Sequence, residues 1–396
     1  MKRLILAAAL LVSTLAFAAP ALAANEAGHY QAILGDCEGC HGRNLAGGVV
    51  LETPFGKLVA PNITPDKQTG IGGWSEEDFR RAMKTGVAKG GKRLYPAMPY
   101  VSYARMSDAD VAALWAWLRT VRPVSNSVTV NRLRFPFNQR ILMWGWNLLF
   151  FRPGPPPSDP AQSAVWNRGA YLVNGPGHCG TCHTPKNMFG ADKGAALSGA
   201  SLQGWWAPDL TGAKTGLGAW SAADIVRYLA AGSNGRSVAS GPMAEAVEHS
   251  TARMRDGDLQ AIAVYLKSLP ASAGNGGAAT GIEAQMRSGA VLYDLNCAAC
   301  HGRDGKGSAI FPPLAGNAVV MQASAETPAR AVLAGSKGAA TAKAPTGQAM
   351  PGFAWKLGDA QVADLLTYVR NNWGNTAPAV PADTVAAVRA SLHGGS

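Results

Sequence analysis

The sequence has no cysteine to spare. Three short strings, "GDCEGCHG" (35–42), "GHCGTCHT" (177–184) and "LNCAACHG" (295–302), use all six. Each reads Cys-x-x-Cys-His, and a histidine directly after a thiol pair has no role in a disulfide framework. Charge is also scarce. Asp, Glu, Lys and Arg make up 15% of the chain, against 47 glycines and 25 prolines. That balance speaks for compact, loop-rich domains rather than long solvated helices. The formal charge is +11, yet no dense Lys/Arg tract with interleaved aromatics occurs. A nucleic-acid partner is therefore not expected. An acidic partner, anionic lipid or a bound polyanion would each suit the excess of positive charge.

The N-terminus has the features of an export signal. Lys2 and Arg3 precede an apolar run that ends in Ala21-Leu22-Ala23. Residues 1–23 thus read as a Sec-type signal peptide, and the mature chain is expected in the periplasm.

The rest of the chain repeats itself three times. After each Cys-x-x-Cys-His comes a proline phrase: "APNIT", "APDLT", then "FPPLA". A methionine phrase follows: "YPAMPY", "SGPMAE", "GQAMPG". Each copy closes on a helical phrase: "MSDADVAALWAWLRT", "MRDGDLQAIAVYLKS", "LGDAQVADLLTYVRN". Ser107 or Asp108, Asp256 and Asp359 stand where a helix N-cap is expected. Trp117, Tyr265 and Tyr368 hold one position of the closing helix. Gly28, Gly169 and Gly289 hold one position of an opening helix, where a small residue lets an aromatic approach. These patterns predict a mainly α chain of three small domains, at 24–125, 163–271 and 281–375. Residues 126–162 form an apolar, Pro-rich connector, 272–280 a flexible linker, and 376–396 a loosely held tail.

Cys-x-x-Cys-His is the attachment signature of c-type haem. On a helical turn, residues i and i+3 share a face and i+4 lies beside them. Two thiols there can bond two vinyl groups of one porphyrin, and the histidine can reach the iron. The thiols are Cys37 with Cys40, Cys179 with Cys182, and Cys297 with Cys300. The proximal ligands are His41, His183 and His301. A zinc site would need a second Cys or His pair for each cluster, and none exists. His29, His178, His249 and His393 share no register, whereas Met98, Met243 and Met350 do. Those three are the candidate distal ligands. Met106 and Met254 align with Leu357 and read as core residues. Two axial ligands per iron describe an electron carrier, and a thioether raises the potential relative to two histidines. Backbone carbonyls of Pro61, Pro208 and Pro312 are candidates to orient the proximal rings.

Each repeat resembles a class I cytochrome c domain. The mature chain resembles the three-haem cytochrome c subunits of bacterial membrane-bound dehydrogenases for alcohol, gluconate, sorbitol, fructose and glucose. The resemblance rests on "NITPDKQTGIGGWSEEDF", "YPAMPYVSYARMSDADVAALWAWL", "RFPFNQRILMWGWN" and "GHCGTCHTPKNMFGA". It implies three tandem class I cytochrome c domains joined by linkers, with three haem c. It also implies a catalytic subunit carrying FAD or pyrroloquinoline quinone (PQQ), ubiquinone as acceptor, and the cytoplasmic membrane surface as the place of work. The alternatives are a cytochrome subunit of a molybdenum hydroxylase, a free-standing periplasmic carrier, and a multihaem peroxidase-type enzyme.

The stretch "FPFNQRILMWGWNLLFF" (135–151) is the least cytochrome-like. A helix from Asn138 to Phe151 would reach about 21 Å, short of a bilayer core of about 30 Å. It is expected to fill the seam between the first two domains, or to show Trp144 or Trp146 to membrane, quinone or a partner subunit.

Overall fold

The structure is a computed structural model that describes residues 25–129, 131–273, 277–308 and 310–393. The expected signal peptide lies outside the described residues. The fold is mainly helical, with 42% helix and 8% strand, as tandem cytochrome c domains require. Two compact units divide the chain. The first holds residues up to Pro157 together with Asn174–His178; the second holds Ser158–Val173 and everything from Cys179 onward.

One helix crossing recurs in each repeat. The opening helices are residues 25–34, Ala164–Asn174 and Glu283–Asn296. The closing helices are Asp108–Leu118, Asp256–Ser268 and Asp359–Arg370. They touch at the glycine. A Cβ on Gly28 would lie 2.1 Å from the Ala113 carbonyl oxygen and 2.5 Å from Trp117 Cβ. The corresponding values at Gly169 are 2.0 Å to Ala261 O and 2.7 Å to Tyr265 Cβ. Only a residue without Cβ allows backbones this close.

Between these helices lies a third, and the sequence shows why it forms. Glu76–Thr85 starts at Ser75, whose hydroxyl accepts from Asp78 N while Asp78 returns to the Ser75 N–H. Ala222–Ala231 uses Ser221 and Asp224 in the same way. Each reciprocal pair satisfies two helix N–H groups that have no partner within the helix. Both helices stop at a glycine in the left-handed region, Gly86 and Gly232. The third copy, Glu326–Ala334, has no side-chain cap. The closing helices differ from expectation at their starts. Ser107 does cap, accepting from Asp110 N. Asp256 and Asp359 instead lie inside the first turn, after Arg255 and Gly358. There their charge favours the helix N-terminus, and each also meets a cation, Lys343 at 2.9 Å and Arg389 at 2.6 Å.

In the first unit Phe79, Met83, Tyr103, Met106, Leu114, Trp115 and Leu118 make the core, with Phe79 stacked on Trp115 at 5.2 Å. Full burial of each such side chain is worth about 1.5–3 kcal/mol. A short hairpin, Val50–Thr53 with Gly56–Val59, gains a third antiparallel strand, Arg132–Leu133. Residues 126–157, expected as a connector, therefore belong to this unit. Their helix is shorter than expected, Leu142–Phe150. Its inner face holds Met143 and Trp146, both buried, and Asn147 Oδ1 accepts from Tyr100 Oη at 2.6 Å. Its outer face leaves Ile141, Leu142, Trp144, Leu148 and Leu149 exposed.

The second unit contains the other two repeats, expected as separate domains. They share hydrogen bonds that make them one body. Trp206 Nε1 donates to Gln322 at 3.0 Å, Trp206 N to Thr327 at 2.8 Å, and Arg330 Nε to Gly204 O at 2.9 Å. The C-terminal segment corrects the expectation of a loose tail. Residues Ala382–His393 form a helix whose Val385 and Val388 are buried in the third repeat's core, and Val380 before it is buried too. Arg389 donates to Ala354 O at 2.9 Å and Leu357 O at 2.7 Å. Three valines and one arginine outweigh an Ala/Pro-rich composition. Among the described residues no helix is long and apolar enough to cross a membrane.

Candidate haem-attachment sites

Each Cys-x-x-Cys-His folds as a single helical turn: Cys37–His41, Gly180–His183 and Ala298–His301. The turn is held by backbone bonds such as His183 N to Cys179 O at 3.0 Å and His301 N to Cys297 O at 2.9 Å. This geometry sets the paired thiols on one face. All six cysteines are free thiols. Burial pushes Cys37 and Cys179 up to about 12 and Cys297 to about 11. Neighbouring charge on Asp36 adds to the effect at Cys37.

The histidine rings are oriented alike. His41 Nδ1 lies 2.7 Å from Pro61 O, His183 Nδ1 2.7 Å from Pro208 O, and His301 Nδ1 3.0 Å from Pro312 O. A carbonyl can only accept, so Nδ1 carries the proton and donates it. The lone pair is then on Nε2, the nitrogen left for a metal. Burial holds all three rings below the usual imidazole range, against the opposing pull of the proline carbonyl. Neutral rings with a free Nε2 are what iron ligation needs.

The proline loops are tied down by residues that sequence reading passed over. Asn62 donates to Val124 O at 2.8 Å, and its Oδ1 accepts from Thr64 N. Asp209 Oδ1 accepts from Thr211 N at 2.7 Å, and its other oxygen accepts from Ser272 Oγ. In the third repeat Asn375 donates to Leu314 O at 2.9 Å and accepts from Gly316 N at 2.8 Å. Every loop that presents a proline carbonyl is thus pinned to the segment after its closing helix. The signal was available in the recurring Pro-Asn and Pro-Asp of "APNIT" and "APDLT".

The three methionines occupy different backbone settings. Met98 sits in a bend, half-buried against the cluster that also receives Cys37. Met350 ends a two-residue strand, Ala349–Met350, and packs on the cluster that receives Cys297. Met243 lies in the first turn of a helix, Pro242–His249, rather than in a loop. Pro242 presets that turn, since its ring fixes φ and it has no N–H to satisfy. Met243 packs with Ala239, Ala244, Val247 and Ala339. Met106, Met254 and Leu357 are buried core. Among the rival histidines, His29 is stacked on Trp117 at 5.1 Å.

This donor set fits covalent haem. Paired thiols share a face, each histidine keeps Nε2 open, and a thioether recurs. Among the described residues no three His, Cys, Asp or Glu side chains gather to hold a bare metal ion. Fold and donor set together fit a chain of tandem haem-attachment domains. Comparison with known proteins agrees. The cytochrome c family model matches residues 26–122 and 286–373. The alcohol dehydrogenase (quinone) cytochrome c subunit of Gluconobacter oxydans is 40% identical, over 94% of this chain and 84% of its own. The gluconate 2-dehydrogenase cytochrome c subunit of Pantoea cypripedii is 40% identical, over 96% and 94%. A nicotinate dehydrogenase subunit of Pseudomonas putida is 42% identical over 89% of this chain, which spans only 31% of that protein's length. The chain belongs to the cytochrome c family and is an electron-transfer protein rather than a catalyst.

Proposed function

We propose that the chain is the three-haem electron-transfer subunit of a periplasmic dehydrogenase, relaying electrons from a catalytic subunit carrying FAD or PQQ to membrane ubiquinone. The observation that carries this reading is the threefold recurrence of a histidine whose Nδ1 donates to a proline carbonyl, beside two thiols on one helical turn. Cys37, Cys40, Cys179, Cys182, Cys297 and Cys300 would hold the haems. His41 with Met98, His183 with Met243, and His301 with Met350 would supply the axial ligands. Bound haem iron with such ligands supplies reversible one-electron chemistry. The protein's part is to fix the ligands and exclude water, and closed coordination speaks against a peroxidase-type enzyme.

The subunit reading also takes support from relatives named as cytochrome subunits of alcohol, gluconate and fructose dehydrogenases. The similarity to a nicotinate dehydrogenase subunit keeps a second partner class in view, beside the molybdenum hydroxylase alternative. The membrane surface that suits this chain is anionic phospholipid. From Val111 to Ser158 the chain has six arginines and no Asp or Glu. The exposed apolar face of Leu142–Phe150 lies within that stretch. A helix of this kind suits shallow insertion into the interface.

The test is reconstitution. The protein, its genomic-neighbour dehydrogenase and ubiquinone in anionic liposomes should couple substrate oxidation to quinone reduction. Haem reduction by the dehydrogenase without quinone reduction would support a free-standing carrier instead.

A further inference from the structure

The loop from the middle helix to the candidate distal methionine differs among the repeats. In the first it closes on itself, with Val87 bridged to Arg93 and Leu94 N bonded to Gly86 O at 2.8 Å. In the second, Ser233 bridges to Val238 and Ala239 N reaches Gly232 O at 2.7 Å. The third, residues 336–350, is the longest and leaves its own repeat. Its base is a ladder, Ser336 with Met350 and Lys337 with Ala349, extended by Gly338 N to Gln348 O at 2.7 Å.

The arm of this hairpin reaches the second repeat's methionine. Ala339 is 2% exposed and completes an apolar cluster with Ala239, Ala244 and Val247, against which Met243 packs. Ser240, three residues before Met243, is bridged to Gly338. Beyond Met243 on the same helix, Glu248 accepts from Ala340 N at 2.7 Å. Lys343 at the tip reaches Asp256 at 2.9 Å. The fit is tight, since a Cβ on Gly232 would lie 2.6 Å from Ala339 Cβ.

We propose that the 336–350 hairpin of the third repeat is the device that seats Met243 as the second repeat's distal ligand. Ala339 is the positioning residue, and the contacts on either side of Met243 hold its helix in place. One element thus carries its own repeat's Met350 at its base and braces the neighbour's Met243 along its arm. The second repeat's own loop closes on itself between Ser233 and Val238, and its Met-bearing turn is helical. The bond most exposed to loss of the hairpin is therefore the second repeat's thioether–iron bond. This inference rests on the reading of Met243 as an iron ligand.

The experiment uses the full holoprotein and near-infrared magnetic circular dichroism, which counts His/Met-ligated ferric haems. The native protein should show three such haems. Ala339→Asp puts a charge into the apolar cluster. It should remove about one third of the thioether–iron signal, lower one haem potential, and let one reduced haem per chain bind carbon monoxide. Ala339→Gly, which adds no charge to the cluster, should retain all three. If Ala339→Asp folds with three intact signals and only a lower melting temperature, the hairpin is simple glue and the inference is wrong. If Ala339→Asp does not fold, Glu248→Ala with Lys343→Ala decides. Earlier alkaline loss of one thioether signal supports the inference, and an unchanged transition refutes it. A native protein with only two His/Met haems would instead overturn the ligand reading beneath it.

Discussion

Gly289 and Tyr368 meet where the third repeat's first and last helices cross. A methyl on Gly289 would lie 2.6 Å from Tyr368 Cβ and 2.3 Å from the Asp364 carbonyl oxygen. The neighbours there are backbone and Cβ, which cannot swing aside. Gly289→Ala and Gly169→Ala should each cost about 3 kcal/mol, the upper range for overpacking. Gly145→Ala, a helical site with nothing within 4 Å, should be neutral or stabilise by up to about 1 kcal/mol. Thermal unfolding of the three variants checks the contrast.

Arg370 offers a second test. It is 1% exposed, and its guanidinium donates to Gln322 O at 2.8 Å, Ser324 O at 3.2 Å and Pro378 O at 3.4 Å. Arg119 and Lys267, at the same position, reach carbonyls of the corresponding loops at Gly72 and Leu217. Removing Arg370 relieves a buried charge but orphans several buried carbonyls, at about 1–3 kcal/mol each. The carbonyls win. Arg370→Ala should destabilise by about 3 kcal/mol, and Arg119→Ala, which loses one exposed hydrogen bond and a contact over the Trp115 ring, by about 1 kcal/mol. Chemical denaturation of both variants measures the difference.

Asp224 predicts an acid limb. Burial alone would raise its carboxyl, but the Ser221 N–H and the Arg236 guanidinium outweigh that and hold it low. A carboxyl depressed in the folded state adds stability above its unfolded value, and that stability is lost as pH falls through the folded value. Asp224→Asn should therefore be less stable at neutral pH and should lose less on going below the usual carboxylate range. A parallel pH dependence of variant and parent would contradict the assignment.

The two tryptophans of Leu142–Phe150 should separate stability from surface function. Trp146 is 8% exposed and contacts Tyr100, whereas Trp144 is 57% exposed. Trp146→Ser should cost about 3 kcal/mol or more. Trp144→Ser should leave melting nearly unchanged yet weaken cosedimentation with anionic liposomes several-fold. Undiminished liposome binding by Trp144→Ser would show that this helix face does not contact the membrane.

How much of this was legible follows from the kind of signal each feature leaves. The helix crossings were legible because Gly28, Gly169 and Gly289 recur against Trp117, Tyr265 and Tyr368. The Cys-x-x-Cys-His turns were legible because the thiol spacing is that of a single helical turn. The packed C-terminal helix was not, because a composition of alanine and proline hides three valines that each bury fully or nearly so. The short hairpins were missed because two- to four-residue strands leave no alternation to detect. The helical setting of Met243 was masked by aligning it with two methionines in extended or looped backbone. The hairpin that reaches Met243 was invisible for a different reason. Ala339 and Gly338 are unremarkable residues, and only the fold brings them to another repeat.

Three closed His/Met haem sites on one chain can be counted and probed together. The most direct measurement is a pyridine haemochrome assay on quantified pure protein, paired with carbon monoxide titration of its reduced form. Three haem c per chain and little carbon monoxide binding are expected, with one site opening on Met350→Ala. One or two haems per chain, or strong carbon monoxide binding by the native protein, would contradict it.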